Sequence, residues 1–275
     1  MDSALLATVP NFDIVDRLPS FMAGEGRLVV GARGRGGKPT LLFVHGAFHG
    51  AWCYAGYLEY FAGLGIGCAA LDLPGHGWLP QTQAFHRYTL RDFGLCVAKA
   101  VDLVAGPVVL AGHSMGALPT LFAAALRDVA GVILMAPSPP GNVPGARALP
   151  PVPVNTSRQP PEPEEIRRRF TGGMAGHEIA QIAARLCPES AEAMNDRYLL
   201  RLDIPAHAIA APGLCLEAGN DDPARHPPGQ DKAIADLYGF DYHVFPELPH
   251  CMMYAKGWQA SAEAIRDWYV GHFPG

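Results

Sequence analysis

Six short apolar runs, none with polar alternation and each parted from the next by a stretch of other character, constrain this chain more than any other feature. They are "TLLFVHG" (40–46), "CAALDLPG" (68–75), "GPVVLAG" (106–112), "GVILMAP" (131–137), "GLCLEAG" (213–219) and "YHVFPEL" (242–248). A strand that covers a core on one face alternates polar and apolar residues. Runs that are apolar throughout are expected of parallel strands covered by helices on both faces. The segments between them fit that arrangement. "YTLRDFGLCVAKAVDLVAG" places Leu90, Phe93, Val97, Val101 and Val104 at helical spacing behind Thr89 as N-cap, and residues 51–63, 115–127, 229–238 and 257–270 read similarly. Strand and helix in alternation give a doubly wound, mostly parallel α/β sheet.

One interval departs from this rhythm. From Pro137 to about Pro205 there is no strand pattern. The interval opens with the proline-rich "APSPPGNVPGARALPPVPVNTSRQPPEPEE" and continues with helical segments such as "HEIAQIAARL". A strand-free excursion of this length inside a compact domain is expected to be functional. The division that follows is a core domain of residues 1–136 and 206–275, with a helical cap of residues 137–205 inserted at one end of the sheet.

Among 275 residues, 49% hydrophobic and 17% charged, a formal charge of -5 argues against nucleic acid or an anionic membrane as the main partner, since both call for a basic face. A small molecule is the expected partner. No apolar run is long enough to span a bilayer, and "MDSALLATVPNFDIVDRL" has no basic n-region, so the expected location is the cytoplasm. The oligomeric state is open, with a homodimer allowed for. Six cysteines without a CxxC pair are expected to be free thiols.

The run 106–112 leads directly into "GHSMGALPTLFAAAL", where a buried strand meets a helix with Ser114 at the junction. Glycine on both sides implies a turn too tight for neighbouring Cβ atoms, with the serine hydroxyl raised above the sheet edge and facing the positive end of the helix. A serine hydroxyl near neutral pH needs a histidine to take its proton and a carboxylate to orient that histidine. "NDDP" after the fifth run offers Asp221 and Asp222. "PHCMM" after the sixth offers His250.

At these residues the sequence resembles the α/β-hydrolase family from about residue 40 to the end. "GHSMG" is similar to its nucleophile elbow and "LDLPGHG" to its glycine-rich turn. "FVHGAFHGAW" is similar to its HG loop, most of all in plant methylesterases, hydroxynitrile lyases and their bacterial relatives. The resemblance implies Ser114 as nucleophile, His250 as base and, by the family's usual spacing, Asp222 as the acid. It implies an oxyanion hole from the backbone N–H groups of Ala47 and Met115, and no cofactor. The expected activity is cleavage of an ester or related acyl bond through an acyl-enzyme.

The rivals keep the fold and change the use: carbon–carbon bond hydrolase, lyase, cofactor-free oxygenase, or small-molecule receptor. Against cyanohydrin cleavage, Ala47 stands where the lyases carry threonine and Cys251 where they carry lysine.

The cap helices are rich in Ala, Ile, Leu and Met, which leads to the expectation of an apolar pocket lined by Phe48, Met174, Met194 and Met252. "HGAFH" lacks the glutamate of a zinc-binding helix, so no metal is expected at His45 and His49. His45 reads as loop-shaping, and His76 and His113 as structural. "EEIRRR" reads as a solvated helix face with i,i+4 pairs, the alternative being that Arg167, Arg168 or Arg169 turns inward to bind a carboxylate.

Overall fold

The computed structural model describes residues 9–274, so the first eight residues of the stretch read above for a targeting signal lie outside it. Eight strands form one sheet. β1 (Ser20–Ala23) and β2 (Gly26–Ala32) pair as an antiparallel hairpin ahead of β3 (Thr40–Val44), β4 (Cys68–Asp72), β5 (Val108–His113), β6 (Gly131–Met135), β7 (Gly213–Ala218) and β8 (Asp241–Phe245). Their spatial order is β1-β2-β4-β3-β5-β6-β7-β8. β2 runs antiparallel to β4, and every pairing from β4 to β8 is parallel. Every residue of β3, β4, β5 and β6 is buried, as their unbroken apolar runs require. β8 differs from expectation. It is an edge strand whose residues are exposed or half-buried.

The helices flanking the sheet are α1 (Ala55–Gly63), α2 (Leu90–Leu103), α3 (Ala117–Leu126), α7 (Gln230–Tyr238) and α8 (Gln259–His272). α2 starts where its sequence says it should. Thr89 accepts from the Asp92 amide and the Asp92 carboxylate accepts from the Thr89 amide, a reciprocal cap that satisfies two otherwise orphaned donors. Between β6 and β7 the chain leaves the sheet and forms α4 (Pro163–Arg169), α5 (Gly176–Ala183) and α6 (Ala191–Tyr198). These helices bury Ile166, Ile179, Ile182 and Met194. All six cysteines are free. Among the described residues no helix is long and apolar enough to cross a membrane.

The strand order fixes where a ligand can enter. From β3 the chain steps outward to β4, then returns past β3 to β5, so the connections leave the sheet in opposite directions at the β3–β5 boundary. A crevice opens at such a switch point, beyond the carboxyl ends of the strands. Val44 at the end of β3 pairs in register with Gly112 on β5, which brings the HG loop and the serine turn side by side.

Candidate active site

Ser114 follows β5 with φ of 51°, a left-handed conformation that costs a residue with a Cβ about 1–3 kcal/mol. The surrounding glycines explain how the turn closes. A Cβ on Gly116 would lie 2.2 Å from the His45 carbonyl oxygen, and one on Gly112 would lie 2.4 Å from Thr120 Oγ1. No side chain fits at either position. The turn raises the serine so that its Oγ lies 2.9 Å from His250 Nε2, and His250 Nδ1 lies 2.5 Å from Asp221 Oδ2. Serine hydroxyl, imidazole and carboxylate thus form one hydrogen-bonded chain.

The carboxylate in that chain is Asp221, which corrects the expectation of Asp222. Asp221 turns inward, with Oδ1 accepting the Asp222 amide and Oδ2 meeting His250. Asp222 turns outward. Its Oδ1 accepts from the Ala224 amide at 3.1 Å, and its Oδ2 faces Arg169 Nε at 3.5 Å and Arg168 at 3.6 Å. Two arginines of α4 therefore occupy the residue that spacing had favoured. Burial pushes the Asp221 carboxyl up, but His250 and His226 outweigh it and hold it well below the usual carboxylate range.

Three neutral histidines set the frame. His45 accepts the Leu73 amide at Nε2, so its proton is on Nδ1 and is donated to the Gly46 carbonyl at 2.8 Å. That carbonyl belongs to the same peptide unit as the Ala47 N–H, so His45 fixes the direction in which the amide points. His49 Nδ1 lies 2.7 Å from the Ala47 carbonyl and its Nε2 lies 2.9 Å from the Tyr254 hydroxyl. His113 donates from Nε2 to the His250 carbonyl at 2.9 Å, steadying the backbone of His250. Burial holds all three below the ordinary imidazole range, His49 at about 4. Met115 is the second residue of a helix start, where an amide has no intrahelical acceptor. The Ala47 and Met115 residues both line the cleft beside Ser114.

The β6–β7 excursion walls this cleft and is pinned to it. Glu189, fully buried, accepts from the Phe48 amide at 3.2 Å and the Ser190 amide at 2.7 Å, and pairs with His76 Nε2 at 3.0 Å. Burial opposes charge on His76, but Glu189 outweighs it and raises the imidazole above its usual range. Phe48, at φ of 70°, has its carbonyl bonded by the Cys187 amide. The Cys251 amide, next to His250, donates to the Phe170 carbonyl at 2.9 Å.

The lining differs from the apolar pocket expected. Phe48 and Met194 border the cleft, but Met174 lies on another surface depression beside Thr171 and Lys256, and Met252 is fully buried in the core. In their place stand four arginines, Arg158, Arg169, Arg197 and Arg225, with Glu165, Gln159, Tyr198 and His226. The free space is narrow, about 40 Å³, room for a few water molecules. In "EEIRRR" Arg169 does turn inward, paired with Glu165. Arg167 bonds the Met174 carbonyl and faces Glu164, and Arg168 is largely exposed. Arg197, Arg225 and His226 were not foreseen, since no motif marks them.

Asp221, His226 and His250 are the one set of three potential metal ligands among the described residues. The donor set is poorly suited to a cation. Asp221 Oδ2 and His250 Nδ1 are already joined to each other, and Arg169 and Arg197 lie close enough to depress His226 further after burial has done so.

With this geometry in view, the family model described as "Alpha/beta hydrolase family" matches residues 41–264. The chain belongs to the alpha/beta hydrolase family. No curated protein matches the sequence. Among solved structures, the chain is similar to a methylesterase from Arabidopsis (18% identity, 84% of this chain and 98% of that one, TM-score 0.65). It is also similar to a putative lipase from Acinetobacter baumannii (15% identity, 95% of each chain, TM-score 0.66) and to E-2-(acetamidomethylene)succinate hydrolase (20% identity, 91% of this chain and 97% of that one, TM-score 0.64). At these identities the likeness is one of fold.

Proposed function

We propose that this member of the alpha/beta hydrolase family is a serine hydrolase of esters or related acyl compounds. The observation that carries the reading is the chain from Ser114 Oγ through His250 to Asp221, at 2.9 Å and 2.5 Å. His250 Nε2 takes the Ser114 proton as Oγ bonds the acyl carbon. The Ala47 and Met115 amides receive the charge that develops on the carbonyl oxygen, where such donors matter most. As the acyl carbon to leaving-group bond breaks, the leaving oxygen takes the proton from His250. Water then gives a proton to the same Nε2 and its oxygen bonds the acyl carbon. Oγ departs, recovers its proton, and the acid is released. Asp221 stays ionised throughout and holds Nδ1–H, so Nε2 faces the serine unprotonated.

In this reading the excursion of residues 137–205 is a cap that closes the cleft. The deciding experiment joins two measurements: turnover of a panel of 4-nitrophenyl esters, and mapping of the residue labelled by a fluorophosphonate. Ester turnover abolished in step with labelling of Ser114 is the expected result. Labelling elsewhere, or turnover that survives complete labelling of Ser114, would overturn the assignment.

A further inference from the structure

Arg197 lies on α6 with 8% of its surface exposed, and among the described residues no carboxylate comes within the 4.0 Å of an ion pair. Its Nε donates to Ser138 Oγ at 2.5 Å, and the Ser138 amide in turn donates to the Ser114 carbonyl at 3.0 Å. The guanidinium is therefore fixed two hydrogen bonds from the serine turn, with its two Nη groups uncommitted. Arg225 packs on the same Tyr198 ring. The two guanidinium carbons lie 5.2 Å and 5.8 Å from that ring's centre, and Arg225 Nη1 donates to the Tyr198 hydroxyl at 2.8 Å. Arg225 likewise has no carboxylate partner among the described residues.

The neighbouring charges are accounted for differently. Arg169 is paired with Glu165 and Asp222, and Asp221 is engaged by His250. Arg158, the fourth arginine of the lining, is exposed to solvent, which leaves Arg197, buried, and Arg225, half-buried, at a narrow cleft with no carboxylate at ion-pair distance among the described residues. An unpaired buried charge is costly and is kept where a partner arrives. Burial, with Arg225 and Arg169 adding to it, holds Arg197 down to about 10, and a bound anion would relieve that stress.

We propose that the cleft takes a substrate bearing a carboxylate, received by the Nη edge of Arg197 with Arg225 beside it. This rests on the hydrolase reading above and adds the substrate's class. A carboxylate suits the site better than a phosphate, because a planar anion docks on one guanidinium edge and needs little room, whereas a tetrahedral dianion asks for donors around three oxygens. An apolar substrate suits the cleft less well on the same ground: it would leave the buried Arg197 and the half-buried Arg225 unpaired.

The test compares 4-nitrophenyl hydrogen succinate with its neutral near-isostere 4-nitrophenyl 4-oxopentanoate. The wild-type protein should favour the anion at least tenfold in kcat/KM, and Arg197→Met should bring the ratio close to one. Arg225→Gln, at a partly exposed site, should lower the ratio several-fold and serves if Arg197→Met does not fold. Calorimetric titration of monomethyl succinate into Ser114→Ala reads binding without chemistry, with methyl succinamate and methyl phosphate as comparisons. Binding of the succinate alone, weakened several-fold in the Arg225→Gln/Ser114→Ala double variant, supports the proposal even if no ester is turned over, in which case the hydrolase reading falls alone. Equal turnover of the two esters, or tighter binding of the amide or the phosphate, overturns the carboxylate site and leaves the hydrolase reading standing.

Discussion

Asp221 and Asp222 are consecutive, yet their carboxylates serve opposite sides of one loop: Asp221 meets His250 at 2.5 Å, and Asp222 faces Arg169 at 3.5 Å. The pair separates chemistry from anchoring. Asp221→Asn should lower kcat by about 10⁴, because the imidazole loses the acceptor that fixes its tautomer. Asp222→Asn should cost a few-fold at most. Steady-state kinetics of both variants on one ester decides the matter, and a reversed order would return the acid to Asp222.

Ser114, the proposed nucleophile, also carries backbone strain. Ser114→Ala and Ser114→Gly should each lose about five orders of magnitude of ester turnover or more. Their stabilities should part. Glycine adopts the observed φ of 51° freely, so Ser114→Gly should exceed Ser114→Ala by up to about 1 kcal/mol after its larger chain entropy is counted. Urea denaturation of the two inactive variants measures this, and equal midpoints would mean the turn is unstrained.

The role of His45 is to aim a peptide bond. Its Nδ1–H holds the Gly46 carbonyl, and the other end of that peptide is the Ala47 N–H. His45→Ala should therefore lower kcat by about 10²-fold, the scale of one lost oxyanion donor, with KM little changed. A rise in KM at constant kcat would instead place His45 in ground-state binding.

Acid should unfold this protein early. His45, His49, His113 and His226 are buried and neutral, all depressed first by loss of hydration, His49 to about 4. The unfolded chain binds a proton on each below about pH 6.5, while the native state does not, so stability falls as pH drops from that value. Each such proton contributes about 1.4 kcal/mol per pH unit across the window. His76 has the opposite sign. Its folded value is raised, so the stability it adds is complete below about 6.5 and fades as pH rises through the raised value. Asp221 adds stability that is lost only at pH values below the ordinary carboxylate range, outside the histidine window. Melting temperatures between pH 7 and 5 should fall by several degrees, and a constant Tm over that range would contradict buried neutral histidines.

The sheet was legible because its central strands are buried on both faces. β3 to β7 each fall on an apolar run, and the Ser114 turn stands out because two glycines are forced by contacts at 2.2 Å and 2.4 Å. β1 and β2 were not read, because β2 is only half-buried along much of its length and three of the four residues of β1 are exposed. The partner of His250 was misread because either carboxylate of "NDDP" fits the loop, and Asp222 is engaged instead by Arg168 and Arg169, more than fifty positions earlier in the chain. The pocket was misjudged for a related reason. Composition counts how many apolar residues α4 to α6 contain, but Ile166, Ile179 and Ile182 are buried away from the cleft, and Met194 meets it in the company of Glu165, Arg169, Arg197 and Tyr198.

The bonds that pin the β6–β7 excursion have a consequence for how this chain can change over evolutionary time. Phe48 is held at its amide by Glu189 and at its carbonyl by Cys187, and the residue after His250 is held by Phe170. The HG loop and the loop of His250 thus borrow their shape from the segment above them. Such a segment is not a detachable module: exchanging it wholesale for that of a relative would unseat the HG loop and the base together. New selectivity is reached more readily by single changes at Arg197 or Arg225, which border the cleft and hold neither loop in place.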